Sequence, residues 1–153
     1  MREIKFRGKS IKSNDWVKGS LFYDKDGRAF IAQTRVDKYV IESKNAEWWD
    51  MDEIEVDPAT VGQFTGKHDV HNNEIYKDDI LKYENPDYPN HKPYVIRWSE
   101  DDCCFECVNS DNFMLPVVWG EMKIIGNVFD NLVIINKCLI LDIMVNLRRR
   151  EME

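Results

Sequence analysis

The chain has 153 residues, 43% of them hydrophobic and 32% charged, which fits one ordinary domain or two small lobes sharing a modest core. Its 21 Lys and Arg against 28 Asp and Glu give a formal charge of -7. Such a surface repels nucleic-acid phosphates unless its cations gather on one face. We therefore expect nucleic acid to be a disfavoured partner.

The cysteines and the amino terminus both indicate an intracellular protein. Cys103 and Cys104 are adjacent and Cys107 follows closely, a crowding that suits reduced thiols better than a secreted disulfide framework. The first residues alternate apolar with charged side chains, unlike a signal peptide. Residues 132–147 are apolar but contain polar interruptions and fall short of the roughly 20 residues of a membrane-spanning helix. We expect a cytoplasmic protein without membrane contact.

Apolar residues at every second position predict short antiparallel strands in the first third of the chain. Residues 16–23 and 28–34 have this pattern, and the Asp24-Lys25-Asp26-Gly27 segment between them is typical of a hairpin turn. A further strand is predicted at residues 39–41. Residues 42–53 mix charges with tryptophan without a clean period, which predicts a loop or a short helix.

The same alternation continues beyond Ile54, broken at Asp57-Pro58 and by a polar loop at residues 67–74. Many short strands at close spacing predict a barrel or a sandwich. The apolar tail, residues 132–153, is predicted to be helical or extended; it either packs against its own domain or joins copies of the chain through residues 132–147. The predicted strands of this part are 54–56, a short strand between Gly62 and Gly66, 75–76, 80–83, 94–98, 105–108 and 122–129.

The densest group of titratable side chains lies between residues 69 and 79. Oxygen-rich clusters of this kind bind hard cations or carry acid–base chemistry, which makes a metal-dependent hydrolase one alternative function. The other interpretation is a solvated polar loop, because no spacing here matches a known calcium loop or zinc helix. We expect no bound metal and no cofactor. The group consists of Asp69, His71, Glu74, Asp78 and Asp79.

The cysteines and most of the aromatic residues are expected to have structural rather than catalytic roles. Cys104 and Cys107 form a lone Cys-x-x-Cys, too few ligands for zinc and on a predicted strand, so buried or half-buried inert thiols are expected. Most aromatic residues are expected in the core, whereas Trp48 and Trp49 lie in a charged loop where one can contact a partner. The candidate binding residues are therefore Trp48, Trp49, Asp69, His71, Glu74 and Tyr76.

Three motifs occur in order along residues 1–131: Met1-Arg2-Glu3-Ile4-Lys5-Phe6-Arg7-Gly8, then Val61 to Asp69 with Glu74 to Ile80, then Ile125-Gly126-Asn127-Val128-Phe129. Together they resemble the YopX family of small proteins encoded by phages and prophages. The resemblance implies a mainly β fold with an SH3-like barrel at residues 56–131, following a hairpin lobe at residues 1–55 or compact with it. It implies no catalytic residues.

The family motif has a mechanical explanation. Gly62 and Gly66 are predicted to bend the backbone on either side of a short strand, and Asp69 to accept hydrogen bonds from its own loop in an Asx-type turn. Asp78 stands where the family commonly has glycine, and aspartate adopts positive φ less readily. The residues assigned to this structural role are Gly62, Gly66, Asp79, Gly126 and Asn127.

The leading hypothesis is a non-enzymatic phage or prophage accessory protein that acts by binding protein, either a copy of itself or another component. A nucleic-acid-binding barrel of SH3-like or OB-like type is the second, by analogy of fold. It requires a basic groove that carries exposed aromatic side chains. The hydrolase built on residues 69–79 is the third.

Overall fold

The computed structural model describes residues 3–34, 51–84, 92–109 and 121–131. These residues form antiparallel strands with almost no helix, which confirms the mainly β prediction. Among them, no helix has the length and apolar character needed to cross a membrane. The predicted strand at 39–41, Trp48, Trp49 and the tail at 132–153 lie outside the described residues.

The hairpin predicted at residues 16–23 and 28–34 is confirmed, and the strands predicted at 94–98 and 105–108 pair with each other as a second hairpin. In the first hairpin the Asp24 carboxylate accepts hydrogen bonds from the amides of Asp26 and Arg28, each at 2.9 Å. The strands are β1 (Phe6–Ser10), β2 (Trp16–Tyr23), β3 (Ala29–Thr34), β4 (Met51–His68), β5 (Glu74–Tyr76), β6 (Asp79–Tyr83), β7 (Tyr94–Ser99), β8 (Cys104–Val108) and β9 (Met122–Asn127).

Contacts divide the chain into two units, Met1–Phe64 and Thr65–Glu153; the boundaries predicted from sequence at 55/56 and 131/132 stay predictions. In the first unit every pairing is antiparallel: β1 with β2, β2 with β3, β3 with β4, and β4 again with β1. The pairings therefore form a closed cycle. Its core is small, with buried Ala29, Ile31 and Val56 surrounded by partly buried side chains of β1, β2 and β4.

Strand β4 is longer than predicted, because it continues where the sequence indicates a break. Arg7 of β1 pairs with Gly62, and Lys9 with Asp57, so one β1 residue faces four residues of β4 in a large bulge. The bulge has its own hydrogen bonds: the Thr60 hydroxyl donates to the Asp57 carbonyl at 2.7 Å and accepts from the Lys9 amide at 2.9 Å. The loop or helix predicted at 42–53 is wrong for residues 51–53, which belong to β4.

In the second unit four strands form an antiparallel sheet in the order β8-β7-β6-β9. Both faces of this sheet carry buried apolar side chains, since neighbouring residues of β6 point to opposite faces. Ile80 packs with Val95 on one face, and Leu81 joins a larger cluster with Tyr94 and Ile96 on the other. The end of β4, from Thr65 onward, neighbours β5, and the Thr65 hydroxyl donates to the Ile75 carbonyl at 2.8 Å.

Candidate functional site

Asp69, a predicted binding residue, is the hydrogen-bond centre of the loop between β4 and β5. Its carboxylate accepts from the amides of His71 and Asn73, at 2.9 and 2.8 Å, and from the Asn73 side chain at 3.1 Å. It also accepts from the amide of Ile124 in β9, at 3.1 Å. The predicted Asx-type turn is confirmed, and the same side chain ties the loop to a strand 55 residues further along the chain.

The ionised state of Asp69 suits this role. Burial, which leaves the residue 5% exposed, raises the pKa of the carboxyl, but the hydrogen bonds from Asn73, Ile124 and His71 outweigh it, and the pKa lies below its ordinary value of 3.8. The donors thus hold a carboxylate at neutral pH. Because both carboxylate oxygens already accept hydrogen bonds from the protein, the side chain stabilises the loop and is not available to bind a ligand.

Tyr76, Glu74 and Asp79 also serve the local structure. Tyr76 is fully buried; its hydroxyl donates to the Glu74 carboxylate at 2.9 Å, and its amide donates to the buried Asp79 carboxylate at 2.8 Å. A partner at the surface therefore reaches His71 and part of Glu74, but not the Tyr76 ring. Asp79 closes the turn between β5 and β6 through this contact, and its assignment to a structural motif stays a prediction.

His71 belongs to an exposed ionic cluster with Glu84 and Lys123. Its Nε2 is 3.2 Å from one Glu84 oxygen, and Lys123 Nζ is 3.5 Å from the other. All three side chains are close to half exposed, so each pair contributes little to stability. This cluster joins the loop after β4 to the β6 and β9 strands at the surface.

The five titratable residues between 69 and 79 do not converge on one point. Asp78 contacts Lys77 Nζ at 2.6 Å, and the other four have the separate partners given above. Within the described ranges, no group of three or more His, Cys, Asp or Glu side chains is arranged to hold a metal ion. The geometry therefore supplies no centre for the hydrolase alternative.

The late motif around Gly126 and Asn127 forms a self-contained turn. The Asn127 side chain accepts from the amides of Phe129 and Asp130, both at 2.9 Å, and the Asn131 side chain accepts from the Asn127 amide at 3.1 Å. Gly126 has φ 155°, and a Cβ there lies 2.2 Å from the Asn131 oxygen. Only glycine fits this position.

The central glycines differ from each other. Gly66 has φ 84°, a conformation that favours glycine, whereas Gly62 pairs with Arg7 inside the β4 ladder. The bend therefore lies at Gly66 and at the Asp57 bulge, with Gly62 between them in a paired strand.

The thiols only partly match the expectation. Cys107 is buried, and burial raises its pKa to about 12, so it is unreactive at neutral pH. Cys104 and Cys103 are exposed, and the prediction of a buried or half-buried Cys104 was wrong. The residue begins β8, where the strand has not yet reached the core, and its alternation with Phe105 does not reveal which face is covered.

The outward face of the first unit carries an aromatic pair that sequence analysis missed. Phe22 of β2 and Phe30 of β3 are directly opposite each other, and their rings stack with centroids 5.3 Å apart. Phe22 is 36% exposed, and the Arg28 guanidinium lies 5.6 Å from the Phe30 ring centre. A pair of one exposed and one partly buried phenylalanine beside an arginine has the composition of a protein interface.

The same face carries a row of cations, which we call the basic row: Lys5, Arg7, Lys9 and Lys18. Arg7 is directly opposite Lys18, and Lys9 opposite Trp16, so their side chains share one face. The Arg7 guanidinium lies 4.7 Å from the Trp16 ring centre and Lys9 Nζ 6.0 Å from it. The period-two spacing of Lys5, Arg7 and Lys9 was visible in the sequence, but only pairing with β2 brings Lys18 beside them.

The family model of the YopX protein matches residues 5–135, and a comparison with curated proteins gave no match. The matched region includes all nine strands of the described residues. It also contains the Asp69 loop, the Gly126 turn and the basic row. The chain belongs to the YopX family.

Proposed function

We propose that the protein is a non-enzymatic accessory protein of a phage or prophage, and that it acts in the bacterial cytoplasm by binding another protein. Membership of the YopX family supports the phage setting. The carboxylates nominated for chemistry, Asp69, Glu74 and Asp79, hold backbone amides or a ring hydroxyl, which supports a structural role for them.

The observation that carries the proposal is the aromatic pair on the outward face of β2 and β3. A phenylalanine that is 36% exposed and stacked on a second ring offers a partner a flat apolar contact. Aromatic residues and arginine are the groups enriched where proteins meet. Arg28 is already held by Asp24 at 2.7 Å, so it is ordered before a partner arrives.

Affinity purification from phage-infected or lysogenic cells tests this function. The bait is compared with Phe22→Ser and with the control Ile11→Ser, which removes a side chain of the same unit that is 61% exposed and lies outside the pair. We expect a protein that is retained by the wild type and the control and lost with Phe22→Ser. If all three baits retain the same proteins, or if none is retained and the protein turns over a substrate in an activity panel, the proposal is wrong.

Two finer features belong to the same proposal. The β8-β7-β6-β9 sheet supports an SH3-like barrel within residues 56–131, and the apolar composition of residues 132–147 supports a homo-oligomer. Light scattering on the full chain and on a chain truncated after Asn131 tests the homo-oligomer. If both particles contain the same number of chains, assembly through the tail is excluded.

A further inference from the structure

The aromatic pair belongs to a row of three directly opposite residues. Phe22 of β2 is opposite Phe30 of β3, and Phe30 is opposite Glu55 of β4. Directly opposite residues of an antiparallel sheet point their side chains to the same face. The Glu55 side chain therefore leaves β4 on the face that carries the two rings, and its Cα lies about 5 Å from that of Phe30.

A second row on the same face adds another carboxylate. Ser20 of β2 is opposite Ala32 of β3, and Ala32 is opposite Glu53 of β4. Each member lies two residues from a member of the first row, which places both rows on one face. Because serine and alanine have small side chains, the edges of the two rings stand above this row, and an apolar side chain of a partner has room to contact them.

The carboxylates of Glu53 and Glu55 hold no hydrogen bond or ion pair in the part of the chain that the structure describes. Arg28, the cation beside the rings, differs from them, because its guanidinium contacts the Asp24 carboxylate through two nitrogens, at 2.7 Å each. The charge of Arg28 is therefore balanced inside its own turn. The two glutamates keep their charges for a partner.

Two lysines of the basic row lie near this face without pairing with it. Lys18 is an outward residue of β2, and strand spacing places its Cα about 12 Å from that of Glu53, beyond the Debye length of about 8 Å at physiological salt. Lys9 of β1 is diagonal to Glu55 in the register with β4, and its Nζ lies 6.0 Å from the Trp16 ring centre. An incoming cation therefore displaces neither lysine from the carboxylates.

We propose that these two rows form the docking surface for the partner, and that the partner presents a basic apolar segment, in which lysine or arginine lies within a few residues of a large apolar side chain. The apolar side chain packs on the rings of Phe22 and Phe30, and the cations pair with Glu53 and Glu55. This inference rests on the proposed function, because it names the chemistry of the partner that the aromatic pair binds. Aromatic contacts supply most of the affinity of such an interface, whereas charges at its rim select the partner and speed its association.

Segments of other chemistry fit this surface less well. An acidic segment or a nucleic-acid backbone brings negative charge against Glu53 and Glu55, and like charges brought together at an interface suppress binding. An uncharged apolar segment covers the rings but removes water from the two carboxylates without giving them a partner. A basic apolar segment satisfies both the rings and the carboxylates.

Fluorescence anisotropy with labelled twelve-residue peptides measures the binding to the full chain. The first peptide contains leucine and lysine in equal numbers; glutamate replaces lysine in the second, and serine replaces leucine in the third. The test variants are Glu53→Gln/Glu55→Gln, called the carboxylate variant, and Phe22→Ser. The control is Glu100→Gln/Asp101→Asn, which removes two carboxylates from the exposed β7–β8 turn of the second unit. Thermal melts verify that each variant is folded.

We expect the wild type and the control to bind the leucine–lysine peptide more tightly than the other two peptides. Affinity for it is expected to fall about fivefold or more in each test variant, because each removes one half of the surface. Added salt should weaken binding by the wild type more than binding by the carboxylate variant. The inference is wrong if either test variant binds this peptide as tightly as the wild type, or if the control loses as much affinity as the carboxylate variant. Equally tight binding of the glutamate or serine peptide, or no binding of the leucine–lysine peptide at low salt, also overturns it.

Failure of this inference is distinguishable from failure of the proposed function. The carboxylate variant is added as a further bait to the affinity purification that compares the wild type with Phe22→Ser. A protein lost with Phe22→Ser but retained by the carboxylate variant leaves the proposed function in place and removes the basic segment. Proteins retained equally by both variants and the wild type remove both.

Discussion

The two units use their polar residues in different ways. In the second unit the polar residues of the family motif face inward or into their own turns: Asp69 and Asp79 are buried and accept from backbone amides. In the first unit the charged residues of β1 and β2 line an outward face over a core of only three fully buried apolar side chains among the described residues. The central and late motifs therefore stabilise the fold of the second unit, whereas the first motif, Met1 to Gly8, contributes Lys5 and Arg7 to the charged face of the first unit.

The largest expected effect is that of Asp69→Ala, which sharpens this contrast. The substitution leaves buried amides of the loop and of Ile124 without an acceptor, and it should lower the free energy of unfolding by about 3 kcal/mol. Urea denaturation measures the change. Asp101→Ala, in the exposed β7–β8 turn, is the matched control and should change stability by less than about 0.5 kcal/mol. If the two substitutions lower the free energy of unfolding equally, the hydrogen bonds of Asp69 do not stabilise the fold as described.

The stability of the protein at acid pH should depend on the Asp69 carboxylate. The pKa of Asp69 in the folded protein lies below its ordinary value of 3.8, so its stabilising contribution is complete above that value and is lost as the pH falls through the lower folded pKa. Urea midpoints from pH 7 down to pH 3 should therefore fall more steeply for the wild type than for Asp69→Asn. Parallel profiles contradict the assignment.

Gly126→Ala tests the second fastening point. A Cβ there lies 2.2 Å from the Asn131 side-chain oxygen, and the residue has φ 155°, so we expect a loss of about 2 kcal/mol. In Gly126→Ala/Asn131→Ala the clash is absent, although the Asn131 hydrogen bond is lost as well. A double-mutant cycle by urea denaturation should therefore show strong coupling. Additive effects mean that the clash does not occur.

A smaller effect, of opposite sign, is expected at Asp78. This residue has φ 69° at the position where glycine is common in the family, and its backbone bonds to Ile96 and Val128 at 2.8 and 3.0 Å. The turn is therefore kept in spite of the aspartate. Asp78→Gly should raise stability by about 0.5 kcal/mol and Asp78→Ala should lower it, because alanine adopts positive φ at a cost of about 1 kcal/mol. A melting order other than Gly above Asp above Ala contradicts this.

The smallest effect on stability is expected from the first unit. Lys18→Gln should change the free energy of unfolding by no more than about 0.5 kcal/mol, because the side chain is exposed and is directly opposite another cation. Thermal melts measure it. A loss near that of Asp69→Ala would make Lys18 a structural residue and remove the contrast between the units.

Local patterns predicted the hairpins because both signals are local. Alternation over residues 16–23 and the Asp24 to Gly27 turn lie within one short segment, and the β2–β3 register follows from them. The pairing of β1 with β4 is different, since it joins residues about 50 positions apart. Asp57 and Pro58 do interrupt the regular pairing, but as a bulge within β4, which continues beyond them.

The candidate site also has a part that local sequence predicted and a part that depends on residues far apart in the chain. The Asx-type turn at Asp69 was predictable because Asn73 is four residues away, whereas the bond to Ile124 spans 55 residues. The basic row was missed because its fourth member, Lys18, joins Arg7 only when β2 pairs with β1.

The most direct measurement is amide hydrogen exchange, followed by ¹H–¹⁵N NMR, on the wild type and Asp69→Ala. If the Asp69 carboxylate stabilises the fold by accepting hydrogen bonds from backbone amides, the amides of His71, Asn73 and Ile124 lose protection in the variant, while those of β2 and β3 keep theirs. Equal protection of the three amides in both proteins contradicts the account.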